Sequence, residues 1–234
     1  MISFVFFATC FIYNWQRFAK IKSNHAISGN RLVWMQNNPK TVYLFLILTA
    51  LGSTTLLLFL KTDVLKILVP FGAVSFLYVG KFPFKNLFNL RDVPFLKAHL
   101  VAGVWAGMVT ILPAFQSDLI LSKEIRIFFA VIYCFILSLA IIFDIRDVEL
   151  DEPEKLTVPQ LIGKRAAVVS AIILNLISCA LLIYLKDSLM VLLLSLFCLA
   201  AVLFILALKK KDDFYFSFWL DGLILLFSTM IFFI

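Results

Sequence analysis

Long apolar runs dominate this sequence and leave few folds open to it. They lie at about 2–18, 41–60, 64–80, 95–115, 125–144, 166–185, 188–208 and 213–233. Each run approaches or exceeds the roughly 20 apolar residues that an α-helix needs to cross a bilayer. Only 15% of the residues are charged and 63% are hydrophobic, whereas about a quarter of a typical soluble domain is charged. We therefore predict an all-α polytopic membrane protein with about eight transmembrane helices in a single domain, residues 1–234.

Basic residues are distributed unequally between the two ends of these helices. The alternate polar segments 14–40, 81–97, 144–165 and 209–211 carry 16 of the 21 Lys and Arg residues, and the other segments carry the remaining five. Cytoplasmic loops of membrane proteins are rich in Lys and Arg, so we place the first set in the cytoplasm. The net charge of +7 then mainly reflects the orientation of the chain in the membrane. We expect contact with membrane lipid and none with nucleic acid, and we expect a bacterial cytoplasmic membrane with the active face towards the cytoplasm.

Acidic residues crowd into one segment directly after an apolar run. Six of the 14 carboxylates lie within it: Asp144, Asp147, Glu149, Asp151, Glu152 and Glu154. The spacing of Asp144, Asp147 and Asp151 places them on one helix face. Clustered carboxylates repel one another, and a divalent cation removes that cost. Oxygen ligands without a nearby His or Cys favour a hard cation such as Mg²⁺. A solvated acidic loop is the alternative that this spacing leaves open.

Other charged residues near these helices are candidates for a role in a binding site. Arg146 and Lys155 flank the acidic segment and could hold phosphate oxygens that a metal leaves free. For Lys81 and Arg146, a role in setting the membrane topology is the equal alternative. Asp221 lies about two turns inside the last apolar run, where an unpaired charge is costly, so we interpret it as a functional or paired residue.

Three segments resemble the UbiA superfamily of intramembrane prenyltransferases. FDIRDVELDEPEKLTVPQLIG, residues 143–163, is similar to that family's second aspartate-rich motif, with Asp147 and Asp151 as its D-x-x-x-D pair. The segment LYVGKFPFKNLFNLRDVPFLKAHLVAGVWA, residues 77–106, is similar to the family's Tyr-x-x-Lys helix end and the helix that follows. In FIYNWQRF, Asn14 stands where the first aspartate-rich motif of the family begins.

The resemblance implies a nine-helix fold with an active site on the cytoplasmic side, and we expect that the first helix of that fold is lacking here. It implies Asp147 and Asp151 as carboxylate ligands for Mg²⁺, and the shared helix face adds Asp144 as a third candidate. With this resemblance, we expect Lys81, Arg146 and Lys155 to contact the isoprenyl diphosphate. Asn14 would orient the first motif, and a helix-capping or helix-end polar residue is the equal alternative for it. Arg17 is a further candidate for contact with the diphosphate, as a cation on the same segment. The implied reaction transfers the polyprenyl group from its diphosphate to a lipophilic acceptor, including aromatic acceptors.

The sequence departs from the family pattern at its first aspartate-rich motif. Phe18 and Lys22 stand where the family has aspartates, four and eight residues after the asparagine. One hypothesis is that a cationic side chain on this segment, such as Arg17, replaces the metal and meets the diphosphate directly. The other is that the chain is a catalytically degenerate member that binds isoprenoid lipid or acts as a scaffold in the membrane.

Overall fold

The computed structural model describes residues 1–22, 30–79, 93, 95–119, 122–148, 156–185, 190–209, 212 and 214–232. Regular structure in these ranges is helical throughout, which confirms the predicted all-α class. The α-helices are α1 (Ile2–Lys22), α2 (Asn30–Asn37), α3 (Pro39–Leu57), α4 (Thr62–Val79), α5 (Leu96–Ala106), α6 (Leu112–Gln116), α7 (Lys123–Asp147), α8 (Val158–Ile162), α9 (Lys164–Leu185), α10 (Met190–Ala207) and α11 (Asp221–Phe232). Two π-helical segments, Gly107–Ile111 and Tyr215–Leu220, join α5 to α6 and lead into α11.

The eight apolar runs coincide with helices in the structure. Four continuous helical spans are long and apolar enough to cross a bilayer: Pro39–Leu57, Leu96–Gln116, Lys123–Asp147 and Lys164–Leu185. Two further apolar helices within the described ranges, Leu193–Ala207 and Tyr215–Thr229, are shorter. By the length and composition of its helices, the chain is a membrane protein. The count of about eight crossings stays a prediction.

Two short helices lie in segments that the sequence pattern did not assign to helices. α2 contains too few consecutive apolar residues to form an apolar run in the sequence. α8 lies after the acidic segment, where the Thr157 backbone N–H donates to Gln160 Oε1 at 2.8 Å and Pro159 occupies the first turn. Gly163 ends α8 with φ of +83°, a conformation that glycine adopts without steric cost.

The described helices form two compact units, of which the first comprises Met1–Arg91 and Leu112–Leu119. In this unit α1 packs along α3, and Gly52 on α3 lies against the ring of Phe7. The backbone N–H of Lys61 donates to Gln116 Oε1 at 3.2 Å, and its ammonium pairs with Asp118. These contacts join the end of α3 to the segment that follows α6.

The second unit comprises Asp92–Ile111 and Ile120–Ile234, with α7 packed between α5 and α9. The buried face of α5 consists of Ala98, Ala102 and Ala106, and such small residues let helices approach closely. In the core, the ring of Phe135 stacks on Phe227 with centroids 4.3 Å apart. The division into two compact units does not test the predicted single domain, which stays a prediction.

Candidate functional site

The carboxyl end of α7 carries the charged residues of the candidate site. The helix begins after Ser122, whose Oγ accepts from the Ile125 backbone N–H at 3.4 Å. Its apolar middle is buried through Ile142, and the last turn then brings Asp144, Arg146 and Asp147. Carboxylates at a helix carboxyl end are disfavoured by the helix dipole, so cationic partners are expected there.

Asp144 pairs with a cation on a different helix. Lys97, in the first turn of α5, donates from Nζ to Asp144 Oδ1 at 2.5 Å. The side chains of Lys97 and Asp144 are only 16% and 5% exposed. A carboxylate buried to this extent requires a compensating charge, and Lys97 supplies it. The prediction that Asp144 is a third magnesium ligand stays a prediction.

Asp147 pairs with its neighbour Arg146. Arg146 Nε donates to Asp147 Oδ1 at 2.7 Å, and Nη2 donates to Oδ2 at 3.3 Å. The guanidinium carbon Cζ also lies 5.6 Å from the ring centroid of Phe143 and 5.3 Å from that of Phe216. Both charged side chains remain about one-quarter exposed. This pair is therefore more accessible than the one formed by Asp144 and Lys97.

The ring of Phe216 belongs to the π-helical segment Tyr215–Leu220. Phe216 is fully buried, and the neighbouring Tyr215 hydroxyl donates to the Leu203 carbonyl at 2.6 Å. This bond ties the segment to α10. The position of Arg146 thus depends on α7 and on a segment about 70 residues further along the chain, as the numbering shows.

The remaining predicted metal-binding and diphosphate-binding residues belong to the first unit or fall outside the described residues. Lys81, Asp151 and Lys155 fall outside the described residues. On α1, Asn14 Nδ2 donates to the Cys10 carbonyl at 2.8 Å. Arg17 Nη2 donates to the Tyr13 hydroxyl at 2.9 Å, so each of these two contacts its own helix.

Asp221 is the first residue of α11, directly after the second π-helical segment, and its side chain is exposed. The π-helical segment and α11 form one continuous helix, because the backbone N–H of Asp221 donates to the Phe216 and Phe218 carbonyls. Asp221 therefore lies within a helix and not at its amino end. Its interpretation as a functional or paired residue stays a prediction.

Phe18, where the family pattern has an aspartate, is part of a hydrophobic core. Its side chain is buried against Met35, Val42 and Leu46. Its ring meets that of Tyr43 edge-on, with centroids 5.1 Å apart. Lys22, at the second departure, has its Nζ 5.7 Å from the centroid of the Phe18 ring. Position 18 therefore stabilises the packing of α1, α2 and α3.

Sequence reasoning did not find the partners of two polar residues, Lys97 and His99, that the structure places in pairs. Lys97 was assigned only a role in topology, because its partner lies 47 residues away. His99 Nδ1 lies 2.6 Å from the Tyr133 hydroxyl, and the two rings stack with centroids 6.2 Å apart. Spacing along the chain carries no signal for either pair, since each joins α5 to α7.

The described carboxylates fit a Mg²⁺ site only in part. No three His, Cys, Asp or Glu side chains group together within the described ranges. Asp147 has hard oxygen donors and a partly exposed side chain, which suit Mg²⁺. Asp144 is buried against Lys97, and its charge is already balanced.

Comparisons of the chain with protein-family models, with curated proteins and with solved structures find no significant match. The likeness to UbiA prenyltransferases thus rests on the three sequence segments quoted above. Any function of the α7 end must therefore follow from the chemistry of its own residues.

Proposed function

We propose that this chain is an integral membrane protein that binds an isoprenyl diphosphate at the carboxyl end of α7 and transfers its prenyl group to a lipophilic acceptor. The Arg146–Asp147 pair carries the proposal. It is a partly exposed ion pair at the end of a 25-residue apolar helix. It joins a residue suited to phosphate oxygens with a residue suited to Mg²⁺.

The pair can open towards a ligand because neither partner is deeply buried. A diphosphate offers oxygens that compete with Asp147 for the guanidinium of Arg146, and arginine binds such oxygens through two parallel hydrogen bonds. The carboxylate that Arg146 releases is then free to accept a cation. In this proposal Mg²⁺ would be held by Asp147 and by Asp151, which lies outside the described residues. The metal would neutralise charge on the departing diphosphate.

The surroundings of Arg146 suit a reaction that must exclude water. The rings of Phe143 and Phe216 lie beside the guanidinium, and Phe216 is part of the core of the second unit. Loss of diphosphate breaks the bond between the allylic carbon and oxygen, and the resulting cation forms a new bond to the acceptor, which loses a proton. Apolar and aromatic walls protect such a cation from water.

A UbiA-like arrangement of about eight crossings in the bacterial cytoplasmic membrane, with the site facing the cytoplasm, is part of the proposal. It is supported by the unequal distribution of Lys and Arg. The test is labelling of single cysteines placed at Lys209 and at Asp118, both exposed. We expect an impermeant thiol reagent outside intact cells to label the cysteine at position 118 and not that at 209. The reverse pattern would overturn the orientation.

The binding proposal is tested by calorimetry on the purified chain in detergent, with geranylgeranyl diphosphate as the probe and with or without Mg²⁺. We expect Mg²⁺-dependent binding that Arg146→Gln or Asp147→Asn weakens by about tenfold or more, as for hydrogen bonds to charged groups. The matched control is Asp63→Asn, since Asp63 is an exposed carboxylate paired with Lys66 on α4. Binding that is the same in all three variants would reject the site.

A second candidate function is non-catalytic binding of an isoprenoid lipid or a scaffolding role. The burial of Phe18 among Met35, Val42 and Leu46 favours it, because this position has a packing role where the family places a metal ligand. Incubation with geranylgeranyl diphosphate and extracted membrane lipids, followed by mass spectrometry, separates the two candidates. A prenylated product supports transfer. Mg²⁺-independent binding without product supports the second candidate.

A further inference from the structure

One end of the first unit is basic over a long stretch of sequence. Residues 1–60 contain five Lys and Arg residues and no Asp or Glu, and the first carboxylate of the chain is Asp63. Positive charge here cannot be neutralised by neighbouring acidic residues in the sequence. A partner that carries negative charge is therefore favoured near this part of the chain.

The helix α2 packs against the end of α1 and the start of α3, the two helix ends that carry the described basic residues. Phe18 near the end of α1, Met35 on α2 and Val42 near the start of α3 share one core cluster. Met35 on α2 is buried, whereas Val33 and Trp34 on the same helix are 44% and 54% exposed. α2 thus has one face against α1 and α3 and another that presents a tryptophan to its surroundings.

Three described cations lie on α1 and α3, the two helices that pack against α2. Arg17 stacks over the Tyr13 ring, with Cζ 4.2 Å from the ring centroid, and Lys22 lies over the Phe18 ring. Lys40, in the first turn of α3, is exposed. Across the described part of the chain, no carboxylate forms an ion pair with Arg17, Lys22 or Lys40.

The adjoining helix α3 indicates how deep in a membrane α2 and the start of α3 lie. It is a candidate membrane span, and only 17% of its most apolar window is buried within the protein. Its exposed side chains include Leu44, Ile47, Leu48 and Leu51, which suit contact with lipid tails. Because Lys40 lies one turn before these residues, it and α2 reach the level of the headgroups when α3 spans the hydrocarbon layer.

We propose that this end of the first unit, formed by α2 with Arg17, Lys22 and Lys40, is a binding surface for anionic phospholipid headgroups. The three cations contact phosphate and other headgroup anions, which attract juxtamembrane Lys and Arg. Trp34 lies at the boundary between headgroups and tails, where tryptophan is enriched in membrane proteins. This surface does not depend on diphosphate binding at α7.

The test exchanges lipid onto the purified full-length chain from mixed micelles of phosphatidylglycerol and phosphatidylcholine, and quantifies the retained lipids by mass spectrometry. We expect the wild type to retain phosphatidylglycerol in preference by about tenfold. The variant Arg17→Gln/Lys22→Gln/Lys40→Gln is expected to retain the two lipids nearly equally. The matched control Lys61→Gln/Lys66→Gln/Lys123→Gln removes three cations that have partners in Asp118, Asp63 and Tyr184 and should keep the preference.

A wild type without preference for phosphatidylglycerol would overturn the proposal. Equal loss in the control variant would do the same, because it would show that only the total charge matters. A second measurement needs no charge variant: quenching of tryptophan fluorescence by brominated phosphatidylglycerol or phosphatidylcholine in bilayers. We expect stronger quenching by the anionic lipid, and this difference should disappear in Trp34→Phe. A difference that persists in Trp34→Phe would also overturn the proposal.

Discussion

Lys97 Nζ lies 2.5 Å from Asp144 Oδ1 and joins the start of α5 to the end of α7, although the two residues are 47 positions apart. Both side chains are largely buried. A buried pair of this kind contributes little net stability compared with apolar residues of the same shape, but removal of one partner leaves an uncompensated charge.

We therefore predict that Lys97→Met lowers the free energy of unfolding by about 3–5 kcal/mol. Denaturant unfolding in detergent, followed by circular dichroism, measures the change. The double variant Lys97→Met/Asp144→Leu should recover most of the loss, because it also removes the buried carboxylate. The exposed pair of Lys66 and Asp63 supplies the control, and Lys66→Met should lower stability far less than Lys97→Met does. A loss in the double variant as large as in Lys97→Met would contradict this account.

A close approach of α1 and α3 makes Gly52 sensitive to substitution. A Cβ atom at this position would lie 2.8 Å from Cδ1 of Phe7, which is closer than van der Waals contact allows. We expect Gly52→Ala to lower the free energy of unfolding by about 1–3 kcal/mol, as overpacking does. In Gly72→Ala, the added methyl group meets no atom within 4 Å, so stability should be unchanged or slightly higher. Equal thermal unfolding of the two variants would argue against the close contact.

The amide of Asn175 is only partly satisfied in the core of the second unit. Its Nδ2 donates to the Phe197 carbonyl at 3.0 Å, whereas its Oδ1 is buried without a hydrogen-bond partner among the described residues. Replacement by leucine removes this acceptor, so we expect Asn175→Leu to change the unfolding free energy by less than about 1 kcal/mol. Asn175→Asp, which is similar in shape but can carry a charge, should destabilise strongly at neutral pH. Detergent unfolding at pH 7 compares them, and a large loss in Asn175→Leu would show that the amide is essential.

Asp63 provides a test of the local electrostatics at the start of α4. The Lys66 ammonium donates a hydrogen bond to the Asp63 carboxylate, and this bond is the main reason that the pKa of Asp63 lies below 3.8. The positive charge of Lys66 is the second reason. Because the folded-state pKa is the lower one, the stabilisation is present above pH 3.8 and is lost as the pH falls through the folded-state pKa. We expect a carbon NMR titration to show this lowered pKa in the wild type and a return towards the ordinary value in Lys66→Gln. An identical titration curve in both proteins would exclude the pairing.

The positions of the helices could be predicted from the sequence because the bilayer imposes a strong local rule. Every backbone polar group in the hydrocarbon layer must be paired within its own segment, so long apolar runs become helices. The runs at 125–144 and 166–185 lie within α7 and α9. The adjacency of Arg146 and Asp147 is equally local, because the two residues follow one another at the end of α7.

Only the tertiary structure decided which side chains from different helices meet. Lys97 finds Asp144 and His99 finds Tyr133 because α5 packs on α7, and spacing within a helix carries no information about such contacts. The same holds for Phe18, whose place in a core with Met35 and Val42 depends on how α1, α2 and α3 pack. Helix formation depends on neighbours along the chain, whereas the pairing of charges and the filling of a core depend on residues brought together by folding.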